Sequence, residues 1–502
     1  MEAAPANFPG ARGANGWGVA AIWIAFACLV LSGAVFARRS QAAIAASRQE
    51  PGVAVTSGFE EESFYALWRS MHGRAVYADA TRLPFSAAYF NWLFYRAYAW
   101  PVGKAVAHST DAAIPSSGRW ITAGTALLGT IALGALFRGI LARRAMFAAS
   151  LAGSVFFGPL VGWWAFTVRP DVGALMFEAT AIAVLLLWWR TRPLSATAAS
   201  CLLFYGAWSL KQNYVLGLGS AMVFLAYRRQ WRLVTIMLLG SIALWSLTFA
   251  AMGSEYREVF RALTASSPFY LALGFDNLRD ALIKTAPVWI LAAGAGWRRG
   301  HQVSAPPNQL VVDTRHLALA GLVVSGPLAF AASCKLGASS YYFFTMQVML
   351  TLLAAVGLAS CRSPRLPAIG FGLFAVLQLA VLTGRAGRID LTGQSDELEA
   401  TWTVWRQEPE PRFSHLTSLN LPWLSPQSPP LVLAFNYSSY RAAGRSFESG
   451  GVGGLIEQGF FQSLLLPSDT GNNYDGGSLQ RYRRGESVNG LTVFRRVSPP
   501  SS

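Results

Sequence analysis

The sequence predicts an α-helical polytopic membrane protein of about eleven transmembrane helices, followed by a small C-terminal α/β domain outside the membrane. Three observations carry this reading. Of 502 residues, 53% are hydrophobic and 13% are charged, a balance too apolar for one aqueous core. The apolar residues gather into runs long enough to cross hydrocarbon. Near residue 385 the composition changes, and charged residues, a Pro-rich patch (408–430) and glycine clusters take over. The chain therefore divides into a membrane region, 1–384, and an extramembrane domain, 385–502.

The first run, Trp17 to Ala37, ends at Arg38-Arg39 without a small-residue cleavage site, which predicts an uncleaved first helix. Further runs follow at 120–137, 145–166, 172–189, 194–210, 214–227, 233–252, 278–297, 317–332, 341–359 and 368–384. Lys211-Gln212-Asn213 separates two of them, as a tight turn or a broken helix. In the tail, "LVLAF" (431–435) and "LTVFRR" (491–496) read as strands and "GLIEQGFFQSLLL" (454–466) as a helix.

The loops predict orientation. Arginines occupy alternate connections: Arg138, Arg143 and Arg144; Arg190 and Arg192; Arg228, Arg229 and Arg232; Arg298 and Arg299; Arg362 and Arg365. The positive-inside rule makes these cytoplasmic, with the N-terminus, and turns the intervening connections and the C-terminal domain outward. The outward set includes the loop 38–119, the Arg169-Pro170-Asp171 turn, the Lys211 turn, 254–284 and 335–340. The net charge of +16 is thus a topology signal, and no nucleic-acid partner is expected. Arg38, Arg39 and Arg48 run against the rule, and Pro84 to Val106 could be an extra span that inverts the loop. Asn91, Arg96, Pro101 and Lys104 among its Tyr and Trp residues favour a helix lying in the interface instead.

Cys28, Cys201, Cys334 and Cys361 all fall in or beside apolar runs, so no disulfide framework or zinc spacing exists. The five histidines form no i,i+4 pair. No cofactor and no metal site is expected, although acidic oxygens leave a divalent cation open.

The chemistry-bearing stretch is "GFEEESFYALWRSMHGRAVYADATRLPF", Gly58 to Phe85. Phe64, Leu67, Trp68 and Met71 recur at helical spacing, which predicts an amphipathic surface helix over 63–71 with Glu60, Glu61 and Glu62 at its N-terminal end. There the helix dipole favours ionised carboxylates, one of which could serve as a general base. Acids are also the ordinary first-turn residues of any helix.

Several short pieces recur in order on the predicted outer side: Glu61-Glu62-Ser63-Phe64-Tyr65, Gly73, Tyr77-Ala78-Asp79 and Pro84, then "TVRPD" (167–171), "LKQN" (210–213) and "ASSYYFF" (338–344). This series resembles the polyprenyl-phosphate-sugar-dependent GT-C glycosyltransferases, whose members include protein O-mannosyltransferases and lipid A aminoarabinose transferases. The resemblance covers the chain to about residue 384. It departs from the family where the usual Asp-Glu is Glu-Glu within a run of three. Matching the aromatic pair points to Glu61, and aligning on Phe59 and Phe64 points to Glu60.

The resemblance implies a GT-C-like fold and transfer of a sugar from a polyprenyl-phosphate donor to an acceptor hydroxyl on a glycan, lipid or protein. The place implied is the outer face of a bacterial inner (cytoplasmic) membrane. Glu61, Glu60 or Glu62 would be the base, and Asp79 would orient the acceptor or a basic partner. All four lysines (Lys104, Lys211, Lys284, Lys335) fall on the predicted outer side. Lys211, Arg169 and Lys335 become the donor-phosphate candidates, with Asp171, Gln212 and Tyr341 beside them in the motifs. The structural alternative is a snorkelling Lys211 and an Arg169 paired with a helix-capping Asp171. A carrier or flippase for a lipid-linked sugar is the second functional reading, and would place polar groups at mid-membrane in broken helices. The concentration of acids and lysines at one face favours the enzyme, and a membrane scaffold ranks last.

Overall fold

The computed structural model describes residues 16–497, except 57, 58, 87, 143, 266, 267, 297–307, 362–364, 385–388, 434 and 443. Arg143, Arg298, Arg299, His301 and Arg362, used above for topology and metal ligation, lie outside the described residues.

In chain order the helices are α1 (Gly16–Arg48), α2 (Glu60–Met71), α3 (Trp92–Val106), α4 (Ile114–Leu141), α5 (Ala145–Phe157), α6 (Asp171–Trp188), α7 (Pro193–Leu210), α8 (Leu216–Tyr227), α9 (Trp231–Ala251), α10 (Ser254–Ala265), α11 (Leu271–Gly296), α12 (Gln309–Ser333), α13 (Phe344–Ser360), α14 (Arg365–Thr383) and α15 (Leu391–Trp405). Every apolar run of the sequence contains a helix. Six helices among the described residues, α1, α4, α6, α9, α12 and α13, are long and apolar enough to cross a membrane, and α5, α8 and α14 are shorter apolar helices. The chain is a multi-pass membrane protein. α13 is its central helix, walled by α11, α12, α4 and α5 and buried along almost its whole length.

Local signals explain several boundaries. Pro193 opens α7 at a position where its missing N–H costs nothing. Asn91 and Asn308 cap α3 and α12 through side-chain oxygens that accept from Trp92 N and Leu310 N. α3 is 15 residues, roughly 22 Å long, too short to span, and it packs on α2, α4 and α7.

Two expectations for the membrane region need correction. The first helix does not end at Ala37 but continues to Arg48. Arg39 is buried there, donating to Leu382 O at 2.5 Å with its guanidinium over the Trp163 ring at 5.2 Å. The run 145–166 is also not one helix: α5 stops at Phe157, before Gly158 and Pro159, and a 3-10 turn covers Gly162–Phe166.

The C-terminal region carries a four-stranded sheet in the order β1-β2-β6-β5, from β1 (Arg412–Ser414), β2 (Ser463–Pro467), β5 (Tyr482–Val488) and β6 (Leu491–Arg496). A small ribbon of β3 (Asn473–Tyr474) and β4 (Gly477–Ser478) and two short helices, α16 (Phe435–Ala442) and α17 (Gly451–Glu457), complete it. β5 and β6 are joined by Asn489-Gly490, both at positive φ, the two-residue turn that suits strand twist. "LTVFRR" is β6 as expected. "LVLAF" is not a strand: Leu431 N and Val432 N turn back onto Pro429 O and Pro430 O, which uses the donors a ladder would need. "GLIEQGFFQSLLL" is not one helix either. α17 closes with Phe460 N on Leu455 O and Gly459 N on Ile456 O, Gly459 being left-handed, and the chain leaves as β2.

Candidate active site

Successive residues of a helix point about 100° apart, so three adjacent glutamates at the start of α2 face three ways. Glu60 is fully buried and saturated. It accepts from Val55 N (2.6 Å), Thr56 N (3.3 Å), Val168 N (2.8 Å) and Arg119 Nε (3.1 Å). Arg119, 1% exposed on α4, donates its other nitrogens to Ala43 O and Val53 O, both at 2.5 Å. This ion pair braces α1, α2, α4 and the 168 segment together. Glu62 is 1% exposed, and neither of its oxygens has a hydrogen-bond partner of ordinary geometry among the described residues. Burial pushes its carboxyl up to about 8, an effect that the Tyr89 backbone N–H and the Arg69 charge only partly offset. Glu61 lies between these two directions and keeps 6% of its surface.

The cations gather beside Phe59 and the Val168 segment that bonds Glu60. Val168 donates to Glu60, and the following residue, Arg169, is buried with its guanidinium walled by Phe59 (5.0 Å), Trp164 (4.3 Å), Tyr341 (5.4 Å) and Phe90 (5.6 Å). Its Nε stands 3.3 Å from Asp171 Oδ2. Lys211, at the break between α7 and α8, ion-pairs with Asp171 Oδ1, its ammonium 3.6 Å from the Tyr341 ring centre and 5.6 Å from that of Phe90. Burial pulls the lysine below its ordinary pKa against the opposing pull of Asp171. Two cations share one carboxylate inside an aromatic cage, leaving a net positive charge in a nearly dry site. Such a site favours an anion with several oxygens.

The sequence motifs thus converge: Phe59 to Glu62, Val168 to Asp171, Lys211 and Tyr341 share one set of walls. Gln212 joins them indirectly, donating from Nε2 to Tyr89 O at 3.1 Å. Asn91 ties the same segment to α7 through Leu210 O and Trp208 O. Asp79 and Lys335 stand apart. Asp79 is exposed and accepts from Thr81 N (2.9 Å) and Thr81 Oγ1 (2.7 Å), with Arg82 Nε at 3.5 Å. The Thr81 hydroxyl, then its N–H and Arg82, hold its carboxyl below the usual range. It lines a cleft with Glu255, Glu258, Tyr440 and Arg445, and its hydrogen bonds go to its own turn rather than to α2. Lys335 is half-buried in an antiparallel bridge to Phe269, with no side-chain ion pair among the described residues.

Sequence reasoning missed Arg119 and the aromatic walls Phe90 and Trp164. It also missed Glu178, buried two turns into α6, and Asp313 at the opposite end of the bundle, where Arg190 (2.5 Å) and Arg228 converge. Glu178 corrects the expectation that acids concentrate at one face. A lone acid inside an apolar run is itself a signal of an arranged polar site. Among the described residues no three His, Cys, Asp or Glu side chains converge.

No family model and no curated protein matches this sequence. Solved structures do. ArnT from Cupriavidus metallidurans bound to undecaprenyl phosphate matches with a TM-score of 0.57 at 13% identity, over 97% of this chain and 99% of that one. The same protein in the apo state gives 0.57 at 12%, over 93% and 98%. AglB, an oligosaccharyltransferase from Archaeoglobus fulgidus in complex with an inhibitory peptide and a dolichol-phosphate, gives 0.51 at 11%, over 88% and 69%. The chain shares their fold along nearly its whole length.

Proposed function

With the GT-C fold as premise, we propose that this chain is a membrane glycosyltransferase moving a hexose or pentose from a polyprenyl-phosphate carrier to an acceptor hydroxyl. The observation that carries the reading is the buried Arg169–Asp171–Lys211 cluster, one cation in excess, sharing the Phe59 wall with the acidic helix. The neighbour with undecaprenyl phosphate bound supports the choice of carrier. Glu61 is the base in this reading, the choice to which the match on the aromatic pair Phe64-Tyr65 points in the sequence. Glu61 removes the acceptor proton as the acceptor oxygen attacks the anomeric carbon. The bond from that carbon to the phosphate oxygen breaks with inversion, and Arg169 and Lys211 neutralise the departing lipid phosphate.

The basic loops support placing this chemistry on the outer face of a bacterial inner membrane, with the N-terminus cytoplasmic and the C-terminal domain periplasmic. Lys335 would act as an outer phosphate contact, and Asp79 as an acceptor contact in its cleft with Glu255 and Arg445. Mass-spectrometric turnover of a panel of polyprenyl-phosphate sugars, with the purified protein in lipid, tests the reading. Glu61→Gln should lower turnover by roughly 10²–10⁴-fold while still binding the lipid phosphate. Unchanged turnover in Glu61→Gln would remove it as the base, and no binding of any carrier phosphate would remove the reading.

A further inference from the structure

Glu178 is fully buried in α6, seven residues beyond Asp171. Seven residues are two turns, so both acids lie on one face of α6, roughly 10.5 Å apart along the axis. Asp171 holds the Lys211 ammonium. Glu178 Oε2 accepts from Gly217 N at 3.0 Å, and Oε1 accepts from the Thr345 hydroxyl at 2.7 Å.

Gly217 is the second residue of α8, whose N-cap, Val215, has no side-chain oxygen to offer. A capping side chain ordinarily bonds the N–H of the second or third helical residue, and a negative charge at that end complements the dipole. Glu178 therefore supplies from a neighbouring helix the cap that α8 lacks, six residues after Lys211. Its other oxygen fixes the first turn of α13, four residues after Tyr341, the ring under the Lys211 ammonium. Space is cut to fit: a methyl group on Gly217 would stand 2.5 Å from Glu178 Cγ and 2.6 Å from Oε2.

We infer that Glu178 is a positioning residue that fixes Lys211 and Tyr341 relative to each other, and so shapes the phosphate site from inside the bundle. The inference rests on the donor-site reading given above. Undecaprenyl phosphate binding to the full-length protein in lipid nanodiscs, read by native mass spectrometry, tests it. Glu178→Ala should weaken binding on the order of tenfold, as loss of a buried hydrogen bond does. Glu178→Gln, which keeps an oxygen for Gly217 N–H, should recover most of that loss. In a Lys211→Ala background, Glu178→Ala should cost less than in the wild type, because part of its effect passes through the lysine. Thr345→Val, which removes one bond and little volume, should show the same non-additivity, and serves where Glu178→Ala does not fold. Wild-type affinity in Glu178→Ala, or an undiminished loss in the Lys211→Ala background, would overturn the inference alone. Failure of the wild type to bind undecaprenyl phosphate would overturn the donor-site reading, and this inference with it.

Discussion

Glu60, Glu61 and Glu62 are chemically identical and adjacent, yet Glu60 is a brace, Glu62 is a buried acid with a raised pKa, and Glu61 points in a third direction. Burial raises the Glu62 carboxyl to about 8, well above its value in the unfolded chain, so the folded protein holds the extra proton between about pH 4.5 and 8. Its contribution to stability is complete below that window and is lost as pH rises through it. Thermal melting from pH 5 to pH 9 should therefore show a falling midpoint in the wild type, and Glu62→Gln should flatten the fall and raise the midpoint at pH 8 and above. A parallel decline in both proteins would mean that another group carries the titration. The three roles were not legible in the sequence, because side-chain direction depends on where the helix begins. The spacing predicted a helix from Ser63, and the helix starts at Glu60.

At the scale of elements, hydropathy located helices, since each run must satisfy its own backbone in hydrocarbon and so declares itself locally, but of the eleven expected spans six among the described residues are long and apolar enough to cross a membrane. What it could not report were contacts made by partners distant in sequence. Arg39 reads as the end of a span until Leu382 and Trp163 are placed beside it. Arg119 reads as one more basic residue near the start of an apolar run, and is instead the post joining α1, α2 and α4. Arg119→Ala leaves Glu60 buried without its cation, which should cost about 3–5 kcal/mol. Replacing both partners, as Arg119→Met with Glu60→Gln, should recover a large part of that, and denaturation in detergent would measure the difference. Equal losses in the single and the double variant would show that packing, not charge, supports the junction. The motif turns at Arg169 and Lys211 were legible because charged residues interrupting apolar runs are rare. Their aromatic walls were not, because Phe and Trp are common everywhere in this chain.

Across the whole molecule, the acidic loop is held by the C-terminal domain as well as by the membrane helices. Phe85 leaves the loop and packs in the domain's own core against Tyr437 and Phe447, with ring centres 6.0 and 5.6 Å away. Glu448 clamps the same loop twice, its N–H on Thr81 O (2.9 Å) and its carboxylate receiving Leu83 N (3.0 Å). Nothing in the sequence foretold this attachment, because Phe85 sits in a Pro-flanked turn with no periodic pattern around it. Phe85→Ala should destabilise the junction by about 3–5 kcal/mol, exposing residues 79–85 and 447–452 together to hydrogen exchange while leaving α12 and α13 protected. Exchange confined to one side would show that loop and domain are held independently.

The pairing of α1 with α14, and of the acidic loop with Glu448, also sets a timetable for biosynthesis. The ribosome releases α1 and α2 within the first 71 residues, but the partner of Arg39 at Leu382 and the partner of the 81–83 loop at Glu448 emerge only later. Throughout most of translation the first helix stands in the bilayer without its neighbour, and Arg39 must remain in contact with water or lipid headgroups. The candidate site is begun at the start of synthesis and its loop is anchored by the last quarter of the chain, so a truncated product would keep Glu60 on Arg119 and Val168 but lose the hold of the C-terminal region on residues 81–85.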